Sequence, residues 1–174
     1  MNHKDHVDLL QGGIQPLGGL WADLGAGTGA FTLALADLIG SAGQIYAVDQ
    51  DRGALRQLEN TMRSQFPATA IHVKVADFSQ RLTLPPLDGV IMANSLHFHR
   101  DKMRVVETVR GYLRPSGRMV LVEYDTDRGN RWVPYPLAYP TWERLAAQAG
   151  FADTRLLATK PSRFLGQIYS AVSR

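Results

Sequence analysis

The spacing of apolar residues along this chain switches repeatedly between the period of a strand and the period of a helix. Short apolar or alternating runs predict strands, and apolar residues three and four positions apart predict helices. The predicted helices cover residues 29–39, 51–65, 101–113 and 141–149. The predicted strands cover residues 19–24, 44–48, 71–75, 90–93, 118–124, 152–158 and 167–172. Asp51 is expected to cap the second helix, and Pro115 to stop the third.

Strands and helices alternate until the last two strands. Strands that are joined by helices form a parallel sheet with helices on both faces. Only residues 160–166 separate the last two strands, and a parallel return needs a dozen or more residues, so these strands must be antiparallel neighbours. The pattern therefore predicts an α/β fold with a doubly wound, mostly parallel sheet, whose ligand lies beyond the carboxyl ends of the strands.

A glycine-rich motif, Asp-Leu-Gly-Ala-Gly-Thr-Gly at residues 23–29, lies between the first strand and the first helix. Glycines let the backbone approach a ligand closely, and the helix N-terminus favours a carboxylate or a phosphate. Asp49 follows the second strand, where a carboxylate can accept hydrogen bonds from ribose hydroxyls. The motif predicts a site for a nucleoside-containing cofactor.

The motif fits a dinucleotide, and it also fits a nucleoside that carries a cationic amine. Gly25, Gly27 and Ala30 match the spacing of dinucleotide-binding enzymes, so a nicotinamide-dependent dehydrogenase is one interpretation. Asp23 argues against it, because a carboxylate there repels a pyrophosphate and attracts a cationic amine. Asp77 closes the third strand, where an acid can accept a hydrogen bond from an adenine amino group.

Five ordered segments resemble the class I S-adenosylmethionine-dependent methyltransferases of the small-molecule type. They are residues 23–29, 48–49, 76–78, 88–97 and 113–118, within a resemblance that covers residues 20–174. The resemblance implies a Rossmann-like sheet of seven strands in the order 3-2-1-4-5-7-6, with the seventh strand antiparallel. It also implies S-adenosyl-L-methionine as the cofactor, S-adenosyl-L-homocysteine as the product, and a single methyltransferase domain over residues 1–174.

The same resemblance implies which residues hold the cofactor. Asp23 and the glycine loop would hold the methionine end, Asp49 the ribose, and Asp77 the adenine, with Phe78 beside the ring. The full expected set is Asp23, Leu24, Gly25, Ala26, Gly27, Gly29, Asp49, Gln50, Ala76, Asp77, Phe78, Asn94, Ser95 and Leu96. The last three would line the sulfonium side. A helix cap at Asp49 and a turn residue at Asp77 are the alternatives.

Acceptor chemistry is expected at the loop after the fourth strand and at the end of the fifth. Methyl transfer needs an aligned acceptor, and an acceptor with an O–H or N–H group can also need a base. His97 and Tyr124 are the candidate catalytic residues, and His99 is a candidate substrate contact. For both histidines, a hydrogen-bonded place within the loop is the alternative. They have no recognisable third ligand nearby, so we expect no metal site.

Residues 125–140 form the least regular segment and contain Trp132, Tyr135 and three prolines. Prolines stiffen a segment and aromatic rings offer apolar area with polar tips, so we predict a substrate loop. A loop packed back onto the core is the alternative. Only a short segment, residues 1–18, precedes the first strand. The pocket is expected to be open, closed by this segment or completed by a second copy of the chain in a homodimer.

Composition narrows the choice of function. The 174 residues include no cysteine, which excludes disulfides, thiolate zinc sites and cysteine nucleophiles. The formal charge of +3 comes from basic residues that are spread out as on solvated faces. Asn94 is followed by Ser95 and Leu96 rather than by the Pro-Pro-aromatic sequence of many enzymes that methylate nucleic-acid amino groups. A small-molecule acceptor is therefore expected rather than nucleic acid.

The remaining alternatives are a nucleic-acid methyltransferase and a non-catalytic module that binds S-adenosylmethionine. The most apolar segment, residues 30–40, is short and contains Asp37, so no membrane span is expected. The first ten residues are charged and lack the apolar centre of a secretion signal. We expect a soluble, cytoplasmic protein without a membrane partner.

Overall fold

A computed structural model describes residues 1–14 and 18–174. Its helices are α1 (His3–Leu10), α2 (Ala30–Ile39), α3 (Arg52–Gln65), α4 (Lys102–Arg110) and α5 (Tyr139–Gln148). Its strands are β1 (Gly19–Leu24), β2 (Gly43–Asp49), β3 (Ala70–Val75), β4 (Leu87–Ala93), β5 (Leu113–Tyr124), β6 (Thr154–Ser162) and β7 (Gly166–Ser173). The N-terminal segment 1–18 contains α1, and its residues 15–17 lie outside the described residues.

The seven strands form one sheet in the order β3-β2-β1-β4-β5-β7-β6, which confirms the expected order. The pairs from β3 to β5 are parallel, whereas β7 is antiparallel to both of its neighbours. The strand order reverses between β1 and β4. A crevice therefore opens beyond the carboxyl ends of these two strands, where doubly wound sheets bind ligands.

Side-chain caps fix where two helices begin. Asp51 precedes α3, and its carboxylate accepts the backbone N–H groups of Gly53 and Ala54 at 2.7 and 3.0 Å. Asp101 accepts the N–H of Arg104 at 3.3 Å at the start of α4. Such caps satisfy backbone donors that have no partner within the helix. The predicted cap at Asp51 is confirmed.

Helix α4 ends earlier than the sequence predicts. The sequence predicted a helix over residues 101–113 that Pro115 would stop, but β5 already begins at Leu113 and Pro115 lies inside that strand. The register with β4 shifts between Leu113 and Arg118. Because proline has no N–H to donate to a ladder, an irregular stretch of strand accommodates it.

Two apolar layers cover the two faces of the sheet. Helices α1, α2 and α3 pack on one face through Leu9, Leu35 and Leu58, all fully buried. Helices α4 and α5 pack on the other face through Val106 and Trp142, which are also fully buried. Helices on both faces confirm the doubly wound architecture. Across the described ranges, none of the helices has the length and apolar character that crossing a membrane requires.

Candidate active site

The glycine loop after β1 adopts a backbone that depends on glycine. Gly25, Gly27 and Gly29 have φ angles of 85°, 53° and 97°, which side chains strongly disfavour. A methyl group at Gly25 would overlap the Cβ of Ser95, and one at Gly29 would overlap Leu58. Nothing lies within 4 Å of the place where a Cβ at Gly27 would stand. The loop is therefore held closely by its neighbours on two sides and is open at Gly27.

Asp23 stands at the end of β1 with only 1% of its surface exposed. Its carboxylate accepts the hydroxyl hydrogen bond of Thr32 at 2.6 Å. Burial raises the pKa of Asp23 to about 7, since removal from water disfavours the charged form. A cationic group beside Asp23 would favour the charged form of its carboxyl group.

A cavity of about 270 Å³ opens next to Asp23 at the reversal of strand order. Asn94 lines it with a φ of 52°, and the buried Oδ1 of Asn94 has no hydrogen-bond partner among the described residues. An unpaired buried acceptor costs free energy unless a ligand or water satisfies it. The complete lining is Met1, His6, Asp23, Gly25, Ala26, Gly27, Thr28, Ala30, Phe31, Ala93 and Asn94.

Met1 and His6 were missing from the sequence-based site. They reach the cavity because α1 packs beside α2, with the rings of His6 and Phe31 4.6 Å apart. Burial lowers the pKa of His6. No local signal in the sequence shows which element α1 packs against.

The residues expected around ribose and adenine lie outside the lining of this cavity. The Asp49 carboxylate accepts the N–H of Gly27 at 2.8 Å and that of Asp51 at 2.9 Å, so it faces the glycine loop. Asp77 accepts the N–H of Ser79 at 2.9 Å, and this contact lowers the pKa of Asp77. Of the other expected contacts, Gln50 is exposed, Ala76 is half-buried, and the ring of Phe78 lies 4.8 Å from that of His99.

Three of the expected cofactor residues turn their side chains elsewhere. Leu24 and Leu96 are fully buried in the apolar layer under α4 and α5, so only their backbones can face a ligand. The Ser95 hydroxyl donates to the backbone carbonyl of Leu24 at 2.7 Å. This bond fastens the loop after β4 to the end of β1, and it explains why Ser95 crowds Gly25.

His97 and Glu123 form a buried pair where the parallel strands β4 and β5 end, which we call the acceptor edge because the sequence predicts acceptor chemistry there. The His97 side chain is 4% exposed and Glu123 is completely buried. His97 Nδ1 lies 3.0 Å from both Glu123 carboxylate oxygens, and the His97 peptide N–H donates to Oε1 at 3.1 Å. His97 Nε2 has no hydrogen-bond partner in the described part of the chain. In the neutral tautomer that donates Nδ1–H to this carboxylate, the lone pair of the ring lies on Nε2.

Glu123 lies inside the strand predicted over residues 118–124, and its partner could not be predicted from the strand alone. A signal was available, because Glu123 occupies an inward position of β5 on the same face as the fully buried Leu121. A buried carboxylate normally has a specific partner. Tyr124, the next residue, has its ring 6.0 Å from that of His97, and burial together with Glu123 raises the pKa of Tyr124.

The segment 125–140 is buried at some positions and leaves aromatic rings exposed at others. It packs on the core through the buried Val133 and Leu137. Its backbone is also tied to the loop after β4, because the Tyr135 N–H donates to the His97 carbonyl at 3.0 Å. Trp132 and Tyr135 nevertheless remain 68% and 42% exposed.

Exposed aromatic rings gather around the acceptor edge, and we call them the aromatic rim: Phe98, Trp132, Tyr135 and Phe164. They come from the loop after β4, the loop after β5 and the β6–β7 turn, all at the carboxyl end of β5. The Phe164 ring lies 5.9 Å from that of Tyr124. Over the ranges 1–14 and 18–174, no cluster of three or more histidine, aspartate or glutamate side chains could hold a metal ion.

Comparison with known proteins gives the family. The model of the family described as methyltransferase domain matches residues 22–117, more than half of the chain. A hybrid PKS-NRPS synthetase from Fusarium is 24% identical over 153 residues, which cover 74% of this chain and 4% of the synthetase. The 2-phytyl-1,4-naphtoquinone methyltransferase of Trichormus variabilis is 25% identical over 140 residues, which cover 75% of this chain and 60% of that enzyme.

Solved structures give the same fold. An arsenic(III) S-adenosylmethionine methyltransferase from Chlamydomonas reinhardtii matches with a TM-score of 0.73 at 22% identity, over 92% of this chain and 65% of that chain. The YcgJ protein of Bacillus subtilis matches with a TM-score of 0.78 at 11% identity, over 98% of both chains. The chain spans less than two thirds of the curated relatives described above. It belongs to the methyltransferase domain family and has the fold of class I S-adenosylmethionine-dependent methyltransferases.

Proposed function

We propose that this chain transfers a methyl group from S-adenosyl-L-methionine to a small-molecule acceptor that binds between His97 and the aromatic rim. The observation that carries the proposal is the continuity of two sites along one loop. Asn94 lines the cavity beside the glycine motif, and His97, in the same loop, is held by a buried carboxylate. A donor site and a base are thereby set side by side.

The residues around the cavity fit this cofactor. The carboxyl of Asp23 and the unpaired Oδ1 of Asn94 both suit a cationic amino group, and Gly27 leaves open space beside the chain. When bound, the cofactor supplies a methyl group on a cationic sulfur, which needs no further activation. Asp49 already accepts a hydrogen bond from Gly27, so it lies within reach of a ligand that follows the glycine loop.

His97 supplies the proton chemistry in this proposal. Glu123 fixes the Nδ1–H tautomer, so Nε2 can accept the proton of an acceptor O–H or N–H group. An acceptor oxygen or nitrogen that loses its proton to His97 in this way would have an electron pair for the methyl carbon, and the pair of the broken carbon–sulfur bond would stay on sulfur in S-adenosyl-L-homocysteine. Tyr124 acts as a hydrogen-bond donor in this scheme, since its raised pKa keeps the hydroxyl protonated near neutral pH.

The aromatic rim favours a flat or apolar acceptor. Exposed rings of this size offer stacking area to a planar molecule. The relative from Trichormus variabilis is named for a naphthoquinone, a planar molecule of this kind. Nucleic acid and a non-catalytic binding role remain alternatives that the experiments below separate.

Calorimetry tests the cofactor half of the proposal. We expect S-adenosylhomocysteine to bind, and the Asp49→Ala variant to bind about tenfold more weakly or worse, because hydrogen bonds to a charged group each contribute about 1.5–3 kcal/mol. The absence of binding up to millimolar concentration, or saturation by NADH instead, would overturn the proposal.

A methyl-transfer assay tests the acceptor half. A panel of phenolic and quinol metabolites should include acceptors that the chain methylates and that His97→Ala leaves unmodified. Cofactor binding without methyl transfer to any small molecule would favour the non-catalytic module. Affinity for RNA or DNA that falls steeply with salt would favour the nucleic-acid enzyme.

A further inference from the structure

A second cavity of about 420 Å³ lies between the start of α4 and α5, outside the cofactor cavity. We call it the basic groove. Its apolar wall consists of Met103, Leu137 and Leu145. Its polar wall carries three cations, Arg100, Lys102 and Arg144, and one carboxylate, Asp101. The groove thus combines apolar surface with an excess of positive charge.

The three cations have no ion-pair partner within the described ranges. Arg144 donates to the hydroxyl of Thr141 at 3.1 Å, and Lys102 donates to the backbone carbonyl of His99 at 3.0 Å. Both of these partners are neutral, and the charges of Glu123 and Asp127 act on Lys102 only from beyond ion-pair distance. Partial burial lowers the pKa of Lys102, which means that its ammonium lacks some of the hydration that an exposed lysine has.

The acidic groups around the groove are already engaged. Asp101 accepts the N–H of Arg104 as the cap of α4. Asp127, whose charge acts on Lys102, accepts the Ala138 N–H and the Thr141 hydroxyl, both at 3.0 Å. These bonds orient both carboxylates toward the protein. The guanidinium groups of Arg100 and Arg144, which are exposed, can therefore turn toward a ligand.

The groove adjoins the acceptor edge through one side chain. The Lys102 ammonium lies 5.6 Å from the centre of the Tyr135 ring, and Tyr135 belongs to the aromatic rim. The Tyr135 backbone is hydrogen-bonded to the carbonyl of His97. A molecule that stacks on Tyr135 would need only a short extension to reach Lys102 and the groove beyond it.

We propose that the basic groove binds an oxyanion, a carboxylate or a phosphate, carried by the methyl acceptor at the end opposite to its reacting group. The inference rests on the proposed function, and it defines the acceptor as amphipathic: a planar or apolar part on the rim and an anionic part in the groove. Arginine side chains bind carboxylates and phosphates through paired N–H donors, and two arginines with a lysine supply more donors than one oxyanion uses.

Oxyanion binding can be measured without knowledge of the acceptor. The ¹⁵N-labelled chain is titrated with inorganic phosphate, and separately with acetate, at constant ionic strength set with chloride. We expect saturable shifts at the amides of Arg100, Lys102 and Thr141 for at least one of the two anions. Arg144→Gln should weaken that binding about fivefold or more. Arg56→Gln, which removes an equal charge from the exposed face of α3, should leave it unchanged.

Amide shifts that fail to saturate, or an equal effect of Arg144→Gln and Arg56→Gln, would indicate general charge screening. Either result would contradict the proposed oxyanion site. Calorimetry with S-adenosylhomocysteine on the same variants separates this failure from failure of the proposed function. Arg144 lies outside the cofactor cavity, so its substitution should leave cofactor affinity unchanged. If the chain binds the cofactor but no oxyanion, only the proposal of an oxyanion site is wrong. If it binds an oxyanion but no cofactor, the methyltransferase proposal is wrong.

Matched acceptors then connect the groove to catalysis. A phenol that the chain methylates is compared with the same phenol bearing a carboxylate or phosphate on a short chain. The anionic compound should have a KM at least fivefold lower, and Arg144→Gln should remove this advantage without changing kcat for the neutral compound. Equal KM values for the two compounds in the unmodified chain would contradict the assignment.

Discussion

The cofactor cavity and the acceptor edge lie side by side at one end of the sheet, yet they are built in different ways. The cofactor cavity is formed mainly by the turn after β1, whose three glycines adopt positive φ angles within a few residues. The acceptor edge depends on pairs that are far apart in sequence, such as His97 with Glu123, 26 positions later. Backbone shape dominates the first region, and buried polar side chains dominate the second.

This contrast makes the two regions separable by mutation. Changes at the acceptor edge should reduce turnover and spare cofactor affinity. Changes in the glycine loop should reduce cofactor affinity and also stability, because the loop is part of the core packing around Ser95 and Leu58.

The largest expected effect is at the buried pair. His97→Ala removes the proposed base and should lower kcat by about 10²- to 10⁴-fold, the usual contribution of general base catalysis. Glu123→Gln should lower kcat less and change the pH profile, because His97 loses the carboxylate that fixes its tautomer. The measurement is steady-state kinetics with an active acceptor, accompanied by calorimetry with S-adenosylhomocysteine.

Tyr124→Phe compares the loss of a proposed hydrogen-bond donor with the loss of the proposed base at the same edge. It removes a hydroxyl that is not a base near neutral pH, so kcat should stay within a few-fold of the original value. If this variant lost as much activity as His97→Ala, the role assigned to the buried pair would be wrong.

The next effect is on stability in the glycine loop. Gly25→Ala places a methyl group against Ser95 and strains a φ of 85°, so it should cost about 2–4 kcal/mol of the free energy of unfolding. Gly27→Ala meets open space and carries only the backbone strain, about 1–2 kcal/mol. Urea denaturation of both variants measures the difference. Equal losses would mean that Ser95 does not constrain the loop.

A smaller effect concerns pH. The raised pKa of Asp23, about 7 against 3.8 when exposed, means that the folded state holds this proton more tightly than the unfolded state. The stability that this proton contributes is fully present below pH 3.8 and is lost as the pH rises to 7. A cationic ligand favours the ionised carboxylate, so cofactor affinity should fall roughly fivefold from pH 7 to pH 6.

Calorimetry in buffers with different ionisation enthalpies checks the Asp23 prediction. Binding of S-adenosylhomocysteine at pH 6 should release close to one proton through this group, and the release should disappear in Asp23→Asn. Proton release of the same size in the variant would assign it to another group, such as His6 in the same cavity.

The smallest expected effect is at the aromatic rim. Trp132→Ala removes a ring that is 68% exposed, so stability should change by less than about 0.5 kcal/mol. If the ring stacks on the acceptor, KM should rise about fivefold or more while cofactor affinity stays unchanged. An unchanged KM would contradict the substrate-loop interpretation of segment 125–140 and favour a loop that only packs on the core. Leu156→Ala is a control, since Leu156 is an exposed apolar residue near the start of the edge strand β6.

The sequence predicted most of the fold because the evidence for it is local. The apolar period located every strand, with the largest error, five residues, at the start of β5, and the family resemblance supplied their order. The end of α4 was missed because Pro115 is an obvious helix stop, whereas the strand that contains it tolerates proline through a register shift that only β4 determines.

Only part of the candidate site could be predicted, because only part of its evidence is local in the sequence. Asp23, Gly25, Gly27 and Asn94 lie in motifs that can be read along the chain, and the structure places them at one cavity. The partnership of Glu123 with His97 and the entry of His6 into the cavity depend on which elements touch in three dimensions. The roles assigned to the individual site residues stay predictions until binding and activity are measured.

The most direct test of the central claim, a cofactor region and an acceptor region that act independently, is calorimetry with S-adenosylhomocysteine on Asp23→Asn and Glu123→Gln at pH 7.5. We expect the affinity for S-adenosylhomocysteine to be at least tenfold weaker in Asp23→Asn and within twofold of the original in Glu123→Gln. Unchanged affinity in Asp23→Asn, or an equal loss in both variants, would contradict the claim.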